Sequence, residues 1–187
     1  MSKRDNDPAA GTQARVLATG RYLTLVDENG WEYVTRAGVT GIVVIVAVTD
    51  EQRLVLVEQY RPAVHKRVVE LPAGLVGDVE GRQAESLLDA AARELEEETG
   101  YRASELVALG EGPIAVGVSD EVVSFFQARG LARVGAGGGD ETEDIAVREV
   151  PLAALRSFLA AQQETGLGVD PKIYAGLFLA GVHLPGL

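Results

Sequence analysis

The chain of 187 residues is about one domain's worth of sequence, and at 47% hydrophobic and 24% charged it has the material for a real core. Seventeen basic residues against twenty-eight acidic ones leave a formal charge of −11, a field that repels phosphate backbones and argues against nucleic-acid or membrane-surface binding. Without cysteine there is no disulfide, zinc–thiolate site, iron–sulfur cluster or thiol nucleophile; the N-terminus is polar and the longest apolar run, 41–48, is too short to span a bilayer, so a soluble, cytoplasmic protein is expected.

Residues 1–13, rich in Asp, Asn, Pro, Ala and Gly, read as a disordered tail. Two strands follow, 15–27 and 31–36, joined at Glu28-Asn29-Gly30 by the Asn-Gly signal of a tight hairpin. Two strands are too few to fold alone, so residues 14–38 form an N-terminal β-section that needs cover from the main domain, 39–187, or from a second subunit. The apolar runs 42–48 and 54–57, split by Asp50-Glu51-Gln52, have the pattern of central strands covered on both faces. Pro62, Pro72, Gly74, Gly77 and Gly81 make 58–84 mostly loop, with a short strand at 68–71.

The clearest helix is 85–99. Ser86-Leu87-Leu88-Asp89 resembles a capping box, Gly100 supplies the stop, and Leu88, Ala91, Ala92 and Leu95 make a core-facing stripe. Further strands are predicted at 106–109, 122–129 and 145–150, then helices at about 151–163 and 171–181, with a flexible glycine-rich loop at 135–140. The fold class is α/β.

On that helix Glu94 and Glu98 are four residues apart and Glu94 and Glu97 three, so the carboxylates share one side. Like charges so placed repel, and a divalent cation turns the repulsion into coordination; hard oxygen ligands suit Mg²⁺ or Mn²⁺. Taken alone, the run reads better as a solvated acidic face.

It does not stand alone. Glu85, seven residues, then Arg93-Glu94-Leu95-Glu96-Glu97-Glu98-Thr99-Gly100-Tyr101 resembles the Nudix box of the Nudix hydrolases. The box glycine is due six residues before Glu85, where this chain has Val79; Gly74 stands five residues earlier as its equivalent, which lengthens the loop within 77–84. Val57-Glu58-Gln59-Tyr60-Arg61-Pro62, Glu70-Leu71-Pro72-Ala73-Gly74 and Asp170-Pro171-Lys172 resemble the ADP-ribose pyrophosphatase and nucleoside-diphosphate-sugar hydrolase branch, as does the strand section ahead of them. That branch's marker proline for ADP-ribose falls on Val116, before Ser119-Asp120-Glu121, a departure that widens the expected substrates to nucleotide sugars generally.

The resemblance implies an α/β/α sandwich with a mixed central sheet and a small N-terminal antiparallel β-section that forms a homodimer. It implies hydrolysis of the pyrophosphate bond of nucleoside diphosphate sugars or ADP-ribose, giving a nucleoside monophosphate and a sugar phosphate. Glu94 and Glu98 would be direct ligands of Mg²⁺ (or Mn²⁺), Glu97 would ligate or order metal-bound water, and the Ala73 carbonyl would complete the shell. Arg93 would hold a box glutamate in place. Glu121 is the first candidate for the base, then Asp120, then Glu97 or Glu98, although Asp120 and Glu121 read nearly as well as loop caps. Arg61, with Glu70, is the expected contact to phosphate or the terminal sugar. Trp31 and Tyr33 either stack on the nucleobase or form an interface core. Two other readings are a nucleoside triphosphate or dinucleotide polyphosphate hydrolase and a non-catalytic Nudix-like nucleotide-sensing module. Against the first stand the N-terminal section and Tyr60-Arg61-Pro62; against the second, the intact Glu94, Glu97 and Glu98.

Overall fold

A computed structural model describes residues 14–78, 81, 84–139 and 144–183; the tail predicted at 1–13 lies outside them. The N-terminal section is a three-stranded antiparallel sheet of β1 (Ala14–Thr19), β2 (Leu23–Glu28) and β3 (Trp31–Arg36). The single strand expected over 15–27 breaks at Gly20, whose amide donates to the Leu23 carbonyl at 2.7 Å and closes a turn. Between β2 and β3 the expected hairpin forms: Asn29 and Gly30 have φ of 55° and 81°, the left-handed pair that a type I′ turn requires.

The apolar run at 41–48 becomes β4 (Gly41–Ala47), parallel to β9 (Val122–Arg133) on one side and antiparallel to β7 (Ala73–Val76) on the other; β8 (Tyr101–Pro113) completes the order β7-β4-β9-β8. A second sheet has the order β10-β5-β6-β11, from β5 (Arg53–Arg61), β6 (Lys66–Glu70), β10 (Ala146–Pro151) and β11 (Gly168–Val169). The expected mixed sheet is thus two sheets, each mixed. The chain crosses between them at the 50–52 turn, where a Val48–Leu54 bridge joins β4 to β5.

Helices cover both faces, as the α/β/α reading requires. Alternate residues of a strand point to opposite faces. Val43, Ile45 and Ala47 therefore enter one core with Ala90, Ala91 and Leu95 of α1 (Leu87–Thr99). Val44 and Val46 enter the other, with Leu155 and Leu159 of α2 (Leu155–Glu164) and Ile173 and Leu177 of α3 (Lys172–Leu179).

Four expectations need correction. Residues 58–84 are more regular than their prolines and glycines suggested, because β5 runs on to Arg61 and finds β6 as a partner, and β7 pairs with β4. The core-facing stripe of α1 is rotated: Leu88 and Ala92 are exposed, while Ala90, Ala91, Leu95 and Glu98 are buried. β8 spans 101–113 and not only 106–109, held along its length by β9. The glycine run after β9 is no free loop; its amides bond the end of α1.

Candidate active site

α1 is set at both ends. Ser86 Oγ accepts from the Asp89 amide at 3.1 Å, and Gly100 ends the helix with φ 71°. Its buried side faces β7, and there the need for Gly74 becomes physical. A Cβ at Gly74 would lie 1.9 Å from Cδ and Oε1 of Glu94, so glycine alone leaves room for that carboxylate. One turn on, Glu98 Oε2 accepts from the Ala73 amide at 3.0 Å.

Arg93 organises the acidic side. Its Nε and Nη2 each donate to the Glu85 carboxylate at 3.1 Å, and its Nη1 donates to Glu94 at 2.8 Å and Glu97 at 3.0 Å. Nη2 also reaches the Leu75 carbonyl at 3.3 Å. Burial works against the guanidinium's charge, but Glu85, Glu94 and Glu97 outweigh it and hold its pKa above the usual value. Burial also dominates at Glu94, whose pKa is pushed up to about 7 despite the opposing pull of Arg93. The site stores unfavourable negative charge that a cation would relieve.

Arg61 and Glu70 form a two-pronged pair, with Nε to Oε1 at 2.9 Å and Nη2 to Oε2. Gln59 Nε2 donates to the same carboxylate at 3.5 Å. The hydrogen bonds to Glu70 hold the Arg61 pKa up against burial, and the fields of Glu98 and Asp170 add to them, which places Arg61 beside α1 and the start of α3. Glu70 is buried, whereas Arg61 keeps an exposed side.

The candidate base lies elsewhere. Gly74 pairs with Val43 and Val43 with Ser124, whereas Glu121 precedes β9, two strands from β7. Its Oε1 accepts from Arg36 Nε at 3.1 Å, and its amide donates to Ser119 Oγ at 3.0 Å. β3 fastens the same loop through Val34 N to Val118 O at 2.9 Å. Asp120, Glu121, Thr35, Arg36 and Thr40 border a hollow of about 140 Å³. Tyr33 donates to Glu28 Oε2 at 3.1 Å, and Trp31 is exposed.

So Ala73, Arg93, Glu94, Glu97 and Glu98 come together, with Arg61 and Glu70 adjoining, while Asp120, Glu121, Trp31 and Tyr33 belong with the N-terminal sheet. Among the described residues no three His, Asp or Glu side chains already stand as a metal-holding group, Glu94 and Glu97 being turned onto Arg93. The residues that could hold a metal are Glu94, Glu97 and Glu98. Four partners went unassigned in the sequence: Glu85, the Leu75 carbonyl, Gln59 and Arg36. The fixed spacing of Glu85 to Arg93 could have revealed the first; Arg36 and Glu121, 85 residues apart, left no local signal.

Residues 39–171 match the NUDIX domain family. The chain belongs to the Nudix family. The Glu85–Gly100 segment that resembles the Nudix box lies within the matched residues and contains α1. This Nudix chain is 37% identical to a methanol dehydrogenase activator of Bacillus methanolicus and 38% identical to an ADP-ribose pyrophosphatase of Bacillus subtilis (strain 168), each over 113 residues that cover 60% of this chain. In both matches the chain spans 58% of the relative's length. It is 30% identical over 193 residues to an ADP-sugar pyrophosphatase of Mus musculus, covering 88% of this chain and 84% of that one. Among solved structures, an ADP compounds hydrolase superposes with a TM-score of 0.68, covering 90% of each chain at 24% identity, which supports the fold.

Proposed function

We propose that this Nudix protein hydrolyses the pyrophosphate bond of nucleoside diphosphate sugars, ADP-ribose among them, to a nucleoside monophosphate and a sugar phosphate. The observation that carries the reading is the set of carboxylates on one side of α1, Glu94 and Glu97 held by Arg93 and Glu98 by the Ala73 amide, with Gly74 cut away to admit Glu94. Relatives named for ADP-ribose and ADP-sugar pyrophosphatase activity support the substrate class, and Val116 in place of the marker proline favours its wider form.

The donor set fits Mg²⁺ or Mn²⁺: hard oxygens, one of them on a partly buried carboxylate whose charge is costly without a cation. Glu94, Glu98 and the Ala73 carbonyl would hold the ion, with Glu97 ordering water. When bound, such an ion neutralises phosphate oxygens and lowers the pKa of attacking water. Arg93 fixes the carboxylates so that little is lost to rearrangement when substrate arrives. Arg61, aligned by Glu70, presents its exposed side to a phosphate or the terminal sugar. Water adds to one phosphorus, and the bridging oxygen leaves with the other phosphate. The proton goes to Glu121, whose loop must first release Arg36 and swing toward α1. The working form is a homodimer joined through the N-terminal sheet, with Trp31 and Tyr33 near the base or the interface.

The test is a Mg²⁺-dependent hydrolysis screen of ADP-ribose, GDP-mannose, UDP-glucose, dinucleotides and ATP, with Glu98→Gln alongside. Turnover of nucleotide sugars that Glu98→Gln abolishes is the expected result. A wild type inert on the whole panel with either metal would overturn the reading and favour a nucleotide-sensing module.

A further inference from the structure

An α-helix leaves its last carbonyls without partners of its own, and α1 carries no basic side chain in its last turn to meet the negative end of its dipole. Yet that turn bears Glu97 and Glu98. The glycine run after β9 supplies what is missing. Gly139 N donates to the Glu97 carbonyl at 3.1 Å and Gly138 N to the Glu98 carbonyl at 2.8 Å. Val134 N and Gly135 N both donate to the Gly100 carbonyl, at 2.8 and 3.1 Å. These amides bring the positive ends of their dipoles to the negative end of the helix.

The contact is close on both sides. Gly137 has φ 72°, and a Cβ there would lie 2.4 Å from the Thr99 carbonyl carbon and 2.7 Å from the Glu98 oxygen. A Cβ at Gly100 would lie 2.3 Å from the Gly135 oxygen. All of these neighbours are backbone atoms, which cannot step aside as the tip of a side chain can. Nothing in the loop resembles a phosphate cradle, and its glycines serve close approach of backbone to backbone.

We infer that residues 134–139 are a positioning element of the active site: their amides fix the last turn of α1, and through it the Glu97 and Glu98 carboxylates, with Gly137 as the residue on which the fit depends. The metal role of those carboxylates rests on the hydrolase reading above; the clamp itself does not. A shift of the last turn moves both carboxylates together, so a loosened clamp weakens the cation's hold without removing any ligand.

Two measurements test this. Amide hydrogen exchange of the wild type in EDTA should show Gly138 and Gly139 protected like the last-turn amides of α1, because all open together. Adding Mg²⁺ should slow all of them further, since the coupling is reciprocal. Separately, Gly137→Ala should raise the Mg²⁺ concentration for half-saturation about 10–100-fold in calorimetry and in hydrolysis, the range for residues that orient metal ligands. Gly112→Ala on β8 is the control: its Cβ would meet nothing within 4 Å, so Mg²⁺ binding should stay at the wild-type level. Exchange of Gly138 and Gly139 at open-loop rates overturns the inference, as does a folded Gly137→Ala that binds Mg²⁺ like the wild type. If Gly137→Ala does not fold, the exchange measurement decides. Protected amides in a wild type that binds no Mg²⁺ overturn the hydrolase reading, and the positioning role with it, but leave the clamp.

Discussion

At the scale of the residue, Gly74 is the most exacting position in the site. The atoms its Cβ would strike are the carboxylate end of Glu94, at 1.9 Å, which is the far end of a flexible side chain. Gly74→Ala should therefore fold, with Glu94 pushed off its place against β7, and Mg²⁺ binding should weaken about 10–100-fold. Calorimetric titration with Mg²⁺ beside a thermal melt checks this; wild-type affinity in the variant would mean that Glu94 does not bind metal where it stands. Gly74, Arg93 and the three carboxylates were legible because the motif fixes their spacing. What spacing could not convey is the reason for each: the room that Gly74 leaves, and the contacts of Arg93 with Glu85, Glu94, Glu97 and the Leu75 carbonyl. The pairing of Arg36 with Glu121 spans 85 residues and depends on β3 docking on the loop before β9, so only the fold reveals it.

Between elements, buried charge ties strands together. Glu58 on β5 accepts from Arg67 Nε of β6 at 2.7 Å and from Arg148 Nη2 of β10 at 2.8 Å. Burial alone would raise its pKa, but Arg148 and Arg67 outweigh burial and hold it below the usual carboxylate value. The sign follows: the unfolded chain takes up this proton at a higher pH than the folded one. The stabilisation is thus present above about pH 4.5 and lost as pH falls through the folded value. Glu58→Gln should cost about 1–2 kcal/mol at pH 7, both guanidiniums being partly screened by solvent. Melting temperature against pH should show the gap between variant and wild type closing toward pH 3; parallel curves would remove Glu58 from the acid response. The elements themselves were largely legible, since apolar runs gave β4 and β5 and the Ser86 cap and Gly100 stop bounded α1. The stripe of α1 was misplaced because apolar periodicity counts Glu94 and Glu98 as surface, whereas the site turns them inward. The division into two sheets depends on pairing between distant strands, which no local run encodes.

For the whole molecule, the N-terminal sheet poses a burial problem that the proposed second subunit would solve. Every residue of β1 is exposed, Val26 is the sheet's only buried hydrophobic among the described residues, and Val16, Tyr22 and Trp31 are each about 60% exposed. Val116 and Val118, on the loop that β3 fastens, add to the uncovered apolar surface. Three strands with so little core are marginal in water, and an apolar area of this kind marks an interface more often than a bare surface. A stable dimer buries on the order of 800 Å² per subunit, and light scattering should accordingly give twice the chain mass of 19.8 kDa. Val16→Glu removes little contact from the folded subunit, because the residue is 60% exposed, yet it puts a charge on the surface to be covered. The variant should melt as a folded monomer of 19.8 kDa. If substrate bridges the subunits near Trp31, its KM for nucleotide sugars should rise more than its kcat falls, because α1 and its carboxylates lie within one chain. A wild type that is monomeric at tens of micromolar would leave the sheet as a lone flap and return Trp31 and Tyr33 to the surface.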